Sequence, residues 1–234
     1  ADLRLAGAQL ELVREVCATG TPVVAVLVQG RPYSIPGVVE QADALVTVWY
    51  PGPEGGRAVA EALFGDFSPA GRLPVSVPRC VGQVPVYYNY KPVSRRQYVL
   101  TDSAPLFPFG YGLSYTSFSY GDPTTDRDSV GVGEAVEVSV EVANTGERAG
   151  DEVVQLYVHD EIASVTRPVK ELKGFRRIHL GAGETRTVTF SLHTDDLAFV
   201  GPDMEWVTEP GEFRVMVGPN SDELQETTIT VVER

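Results

Sequence analysis

The chain has 234 residues, enough for one large or two ordinary domains with cores of their own, and a composition of 43% hydrophobic and 22% charged residues is that of a globular protein. Its net charge of −13 is unevenly placed, since residues 1–120 carry nine acids and nine bases while residues 121–234 carry 23 acids and ten bases. Neither half has the basic stripe that phosphate binding needs, which argues against nucleic acid, and no run approaches the roughly 20 apolar residues that cross a bilayer, so a membrane span is not expected.

The step in charge places a module boundary near 115–130, and the acidity itself reads as a solvated surface that keeps the chain soluble. Cytoplasmic and secreted locations both stay open. Cys17 and Cys80 are too few for a disulfide framework and lack CxxC spacing, so they read as buried or idle thiols, with a single bridge between them left open. His159, His179 and His193 show no metal-ligand spacing and read as ordinary surface or strand residues, and nothing in the sequence calls for a cofactor.

In chain order, Leu5, Ala8, Leu12, Val13 and Val16 recur at three- and four-residue steps, which predicts a helix over 5–18 closed near Gly20. Pro22 to Val28 is an unbroken apolar run, the pattern of a strand covered on both faces. A short helical stretch around 38–42, a second apolar run over 44–49 and a helix over 54–64 closed by Gly65 follow. This β-α-β-α rhythm implies parallel strands with helices packed over them. Two or three such strands make a poor domain, because a parallel sheet survives with its faces and edges covered. The sequence opens on Ala1 rather than Met and enters the rhythm mid-stride, so more of the sheet is expected upstream, and residues 1–80 alone should be sticky.

The loop after the second strand, Trp49-Tyr50-Pro51-Gly52-Pro53-Glu54-Gly55-Gly56, sits at the carboxyl end of a parallel strand, where ligands gather in open α/β sheets. Glu54 at a helix start is favoured as the anion by the helix dipole, which suits a structural charge or a substrate contact better than a proton donor. Trp49 and Tyr50 have the faces to stack on a sugar ring, or serve as core aromatics. All three are the candidates for a substrate crevice.

Between Ser68 and Thr116 helical periodicity disappears and prolines recur, yet the 81–115 part of this stretch holds Tyr87, Tyr88, Tyr90, Tyr98, Phe107, Phe109, Tyr111 and Tyr115. Leaving so many large side chains in water costs roughly 1.5–3 kcal/mol each, so the segment is expected to lie ordered along a surface, with a short strand at 73–77 ahead of it. Arg95 and Arg96 read as solvent-facing charges or as partners for carboxylates of a neighbouring domain. Over 134–142 the valines 136, 138, 140 and 142 alternate with Glu137, Ser139 and Glu141, a half-buried antiparallel strand. Further strands read at 118–120, 153–158, 172–178, 186–192, 212–217 and 227–232, with a hairpin between 197 and 207. The fold class is therefore a partial α/β unit, with a mainly parallel sheet and flanking helices, followed by an all-β immunoglobulin-like or fibronectin type III-like sandwich. The segments are 1–80, 81–115 and 116–234.

Several motifs in one order carry a family resemblance. Leu3-Arg4-Leu5-Ala6-Gly7-Ala8-Gln9, Val28-Gln29-Gly30-Arg31-Pro32, the 49–56 loop, Phe64 to Pro74, Pro85-Val86-Tyr87-Tyr88-Asn89, Pro105-Leu106-Phe107-Pro108-Phe109-Gly110-Tyr111-Gly112-Leu113-Ser114-Tyr115-Thr116 and Glu205 to Gly211 together resemble the C-terminal part of family 3 glycoside hydrolases, the β-glucosidase and β-xylosidase group. Ala6 stands where that family has Pro, and Gln29 where it has Asn. The resemblance implies an exo-acting retaining β-glycosidase, a β-glucosidase above all, whose nucleophilic Asp and acid/base Glu fall outside this chain. It implies as partners an N-terminal (β/α)8 barrel and the first half of the α/β sandwich, a β-linked glucoside or oligosaccharide as substrate, and leaves an oligomer open. On its own the chain would be inactive, since retaining glycosidases need two carboxyl groups about 5–5.5 Å apart. Two other readings compete. One is a non-catalytic carbohydrate-binding or adhesion module built on the sandwich; the other, a self-sufficient α/β enzyme, lacks GxGxxG, GxxxxGK[ST] and GxSxG motifs.

Overall fold

A computed structural model describes residues 2–92 and 102–233. The chain forms two compact units that interleave: the first takes the described parts of Ala1–Phe67, Pro74–Tyr87 and Gln97–Phe109, the second those of Ser68–Leu73, Tyr88–Arg96 and Gly110–Arg234. Arg95, Arg96 and Tyr98 lie outside the described residues.

In the first unit, helix α1 (Gln9–Cys17), strand β1 (Val24–Leu27), helix α2 (Pro36–Val39), strand β2 (Ala44–Thr47) and helix α3 (Gly55–Phe64) follow the predicted rhythm. Strands β1 and β2 pair in parallel, Val24 opposite Ala44 through Leu27 opposite Thr47. Pro36 opens α2, where its missing N–H costs nothing, and α3 ends on Gly65 in the left-handed region. Helix α1 is shorter than the predicted 5–18, and the side it turns inward is Leu10, Val13 and Cys17, each half-buried, while Leu12 and Val16 stand in solvent. The expectation that 22–28 is covered on both faces fails. No residue of β1 or β2 is buried, and Val24 and Val28 are exposed. A two-stranded sheet with three short helices has too little surface to enclose both faces. Among the described residues, the unit's buried apolar side chains are Ile35, Val38, Ala62, Val77, Pro78 and Pro105. The predicted strand at 73–77 reduces to a single bridge between Val77 and Phe107.

The second unit is the sandwich. Its strands are β3 (Phe118–Tyr120), β4 (Thr124–Thr125), β5 (Ser129–Gly131), β6 (Ala135–Asn144), β7 (Gly150–Asp160), β8 (Glu171–Leu180), β9 (Thr185–His193), β10 (Phe199–Val200), β11 (Trp206–Val207), β12 (Gly211–Gly218) and β13 (Gln225–Val232). One sheet runs β5-β13-β12-β7-β8, and β3, β4 and β9 pair with β6 in the other. All these ladders are antiparallel except β5 on β13. The alternating valines of β6 are at most 2% exposed and meet Leu156, Phe190, Val215 and Ile229 in one core. The two-residue strands β10 and β11 form the predicted hairpin. Strand β8 is outermost in its sheet and carries Lys173, Arg176, Arg177 and His179.

Three earlier stretches of chain are held on the sandwich by polar contacts buried inside the second unit. Arg72 donates from its single terminal nitrogen Nη2 to both carboxylate oxygens of Glu152 on β7, 2.9 Å to each, with the two side chains only 8% and 3% exposed. Beside them the Tyr120 hydroxyl is buried without a well-formed hydrogen bond, and burial, reinforced by the Glu152 carboxylate, pushes that phenol far above its ordinary range. Tyr88 packs edge-on against the buried Tyr157, which accounts for part of the aromatic stretch. Gln155, also buried, donates to the Gly110 and Pro219 carbonyls and accepts from the Tyr157 hydroxyl.

That packing explains the Phe107-to-Thr116 motif. Gly110 has φ of 80°, and a Cβ there would lie 2.1 Å from Gln155 Oε1; at Gly112 it would lie 2.2 Å from the Gly71 carbonyl. Glycine is thus required at both. Asn144 ties the motif's end down, accepting from the Thr116 hydroxyl at 2.6 Å and donating to the Arg148 and Leu180 carbonyls.

Replacing one partner of the buried pair, Arg72→Met or Glu152→Leu, is expected to lower stability by about 3–5 kcal/mol, while replacing both together costs less; urea unfolding followed by Trp fluorescence measures this. A pH dependence follows from Asp151 on β7, whose carboxyl is held below its ordinary range by His179 at 2.6 Å and by Arg177. A carboxyl lowered in the folded state stabilises above its unfolded value and loses that contribution as pH falls. Thermal midpoints should therefore drop below about pH 5, and less steeply in Asp151→Asn.

Candidate functional site

The first unit gathers its candidate residues at the carboxyl ends of its two strands. Backbone pairing continues past the strand ends: Val48 N–H donates to the Leu27 carbonyl at 3.0 Å, and Gln29 N–H to the Trp49 carbonyl at 3.2 Å. The loops 28–33 and 48–54 therefore leave the sheet side by side. Trp49 then takes φ of 48°, a left-handed conformation that is uncommon for a non-glycine residue. The chain turns sharply there and presents Tyr50, which is 83% exposed, while Trp49 is half-buried. The Tyr50 hydroxyl nevertheless has a seat. It lies over Gly30, so close that a Cβ at that position would be 1.9 Å from it, which explains the glycine of the Gln29-Gly30-Arg31-Pro32 turn.

Pro51, Gly52 and Pro53 carry the chain to α3, whose first turn begins with Ala58 N–H donating to the Glu54 carbonyl at 3.0 Å. Glu54 occupies the helix start as predicted, but its side chain is exposed and makes no capping hydrogen bond. The structure thus places Trp49, Tyr50 and Glu54 on one loop and joins Tyr50 to the neighbouring turn. It brings no second carboxylate to Glu54 among the hydrogen-bond and ion-pair contacts of the described residues.

One residue was missed as a site candidate. Gln29 is 7% exposed, and its side-chain carbonyl oxygen has no hydrogen-bond partner among the described residues. Its position directly after an apolar run, where the related family has Asn, was the available signal. Such a buried acceptor is costly unless something donates to it.

The histidines of the sandwich have local partners. His159 contacts the Pro168 carbonyl at 2.9 Å, and His193 accepts from Asp195 N–H. Cys17 and Cys80 are both free thiols. Among the described residues no group of three His, Cys, Asp or Glu side chains fits a metal ion. No helix among them is long and apolar enough to cross a membrane.

Comparison with known proteins matches these features to one group. Residues 1–115 match the glycosyl hydrolase family 3 C-terminal domain, and residues 152–221 match a fibronectin type III-like domain. A β-xylosidase of Formosa agariphila is 49% identical over 99% of this chain and 33% of its own length, and a periplasmic β-glucosidase of Salmonella typhimurium is 43% identical over 96% and 31%. Among solved structures, a β-glucosidase from Erythrobacter marinus superposes with a TM-score of 0.96 at 50% identity, covering 99% of this chain and 31% of that one. A Listeria innocua β-glucosidase in complex with glucose gives 0.93 at 39% identity, covering 98% and 33%. The chain spans about a third of the length of these relatives. It belongs to glycosyl hydrolase family 3, of which it carries the C-terminal domain and the fibronectin type III-like domain that follows it.

Proposed function

We propose that this chain is the C-terminal portion of an exo-acting, retaining β-glycosidase, a β-glucosidase that releases terminal non-reducing β-D-glucosyl residues. In this reading 1–80 is the later half of an α/β sandwich, 81–115 an ordered linker and 116–234 the terminal module. The chain braces a catalytic (β/α)8 barrel, and the loop bearing Trp49, Tyr50 and Glu54 walls one side of the sugar crevice. Both catalytic carboxylates belong to polypeptide outside these residues, so the chain alone does not hydrolyse glycosides.

The observation that carries the proposal is the uncovered apolar surface of the first unit. Leu12, Val24, Val28, Tyr50, Leu63 and Phe64 are each more than 40% exposed around a sheet with no buried strand residue. Burial yields roughly 25 cal/mol per Å² of apolar surface, so such a unit gains much from being covered. The known relatives, three times as long, supply a source for the cover. Gln29's unpaired acceptor sits in the same unit and awaits a donor of the same origin.

Aryl-β-glucoside assays are expected to show no turnover by this chain and recovered turnover when it is mixed with the barrel and first half-sandwich. Turnover by the chain alone, or a mixture that neither associates nor hydrolyses, would overturn the proposal. In the complete enzyme, Tyr50→Ala should raise KM several-fold with little change in kcat. An exposed side chain of this kind should shift stability by no more than about 0.5 kcal/mol, which a thermal melt checks.

A further inference from the structure

The glycine beneath the Tyr50 phenol is not demanded by the backbone. Gly30 does not take a positive φ, unlike Gly52 at 68°, so alanine fits its backbone conformation without strain. What forbids a side chain there is one neighbour. The three heavy atoms nearest to a Cβ at that position all belong to Tyr50: the hydroxyl oxygen, Cζ at 2.5 Å and Cε2 at 3.1 Å. The missing side chain at position 30 therefore makes room for the phenol.

The residues on either side of Tyr50 are fixed as well. Trp49 accepts from Gln29 N–H and holds a left-handed φ of 48°, a strained conformation for a residue with a large side chain. Pro51 packs on the first residue of α3, where a Cβ on Gly55 would lie 2.5 Å from its Cγ and 2.6 Å from its Cβ, and Gly55 N–H donates to the Gly52 carbonyl at 3.1 Å. All of this holds in one place a side chain that is 83% exposed. A fixed pose does little for stability here, since ordering a side chain costs conformational entropy and an exposed one buries little apolar surface in return. It does serve binding, because a side chain ordered beforehand need not be ordered by the ligand.

We propose that Gly30 is a positioning residue of the sugar crevice: by lacking a side chain it keeps the Tyr50 phenol in the one pose in which it meets a bound glucoside. The inference rests on the reading that the 49–54 loop walls that crevice, and it adds a residue on a different loop that sets the geometry of the wall. Gly30→Ala is a clean probe of it. The displaced group is the end of an exposed side chain, so the ring swings away while the backbone stays. The same change at Gly55 meets a proline ring bonded to the backbone and moves the chain itself.

Four forms of the complete enzyme, with barrel and first half-sandwich present, test this on an aryl-β-glucoside: unaltered, Gly30→Ala, Tyr50→Ala and the two substitutions together. Gly30→Ala is expected to raise KM several-fold, to the level of Tyr50→Ala, with kcat changed by less than about twofold and the thermal midpoint unchanged. The double variant should match Tyr50→Ala, because Gly30 acts only through the phenol. A KM that rises in Tyr50→Ala but not in Gly30→Ala, or two effects that multiply in the double variant, would overturn the inference and leave the crevice reading standing. A thermal midpoint lowered by Gly30→Ala and not restored in the double variant would overturn it too, since the glycine then serves something other than Tyr50. An unchanged KM in Tyr50→Ala would remove the crevice reading and this inference with it.

Discussion

The second unit depends on a charge pair taken out of water. Arg72 and Glu152 are separated by 80 residues in sequence and meet through one guanidinium nitrogen shared between both carboxylate oxygens, with almost no solvent at either side chain. Desolvating two ions costs several kcal/mol each, and their attraction repays this when the geometry is good. The pair is therefore weak as a source of net stability and strong as a constraint on where the chain goes. A residue of the 68–73 stretch placed elsewhere would leave the Glu152 carboxylate buried alone. The glycines at 110 and 112 work in the same sense, since each admits a neighbour closer than any side chain would permit. Together they explain why both the 68–73 stretch and the chain from Gly110 on belong to the sandwich unit.

The two units differ in how completely they bury their apolar residues, and function follows that difference. The sandwich closes a core of 18 buried residues drawn from both of its sheets, so it is the self-contained part. The first unit has a parallel strand pair whose residues are at best half-buried. Parallel strands are ordinarily enclosed on both faces. Its loop of Trp49, Tyr50 and Glu54 is correspondingly well defined in backbone, through the paired strand ends and the seat under the Tyr50 hydroxyl, but open on its outer side. A loop of this kind presents side chains rather than enclosing a ligand.

Where one strand face meets one core, the sequence could be read directly. The valine alternation of β6 survives intact because period two maps onto two environments, and the β-α-β-α rhythm of the first unit holds because the short apolar runs at 22–28 and 44–49 have few alternatives. The failures are all non-local. Strands β4 and β5, two and three residues long, are defined by partners about 13–15 and about 100 positions away rather than by any pattern of their own. Helix α1 shows an apolar stripe containing Leu12 and Val16, yet periodicity says that a face is apolar and not whether anything covers it. The glycines of the Phe107-to-Thr116 motif were visible as a motif, but the reason for them, Gln155 and the Gly71 carbonyl, lies elsewhere in the chain. At the site, Tyr50's exposure and the buried Gln29 side chain depend on how two loops lie together, which spacing within one loop does not encode.

The basic residues of β8 have an effect on the company this protein can keep. An outermost strand offers a free row of backbone donors and acceptors, a template on which another chain can extend the sheet. On β8 that row is flanked by Lys173, Arg176, Arg177 and His179, in a module otherwise dominated by acids. A second molecule approaching strand against strand in the same register would set cation against cation. The ten-residue border of the sheet is in this way made less inviting to another strand without being physically capped.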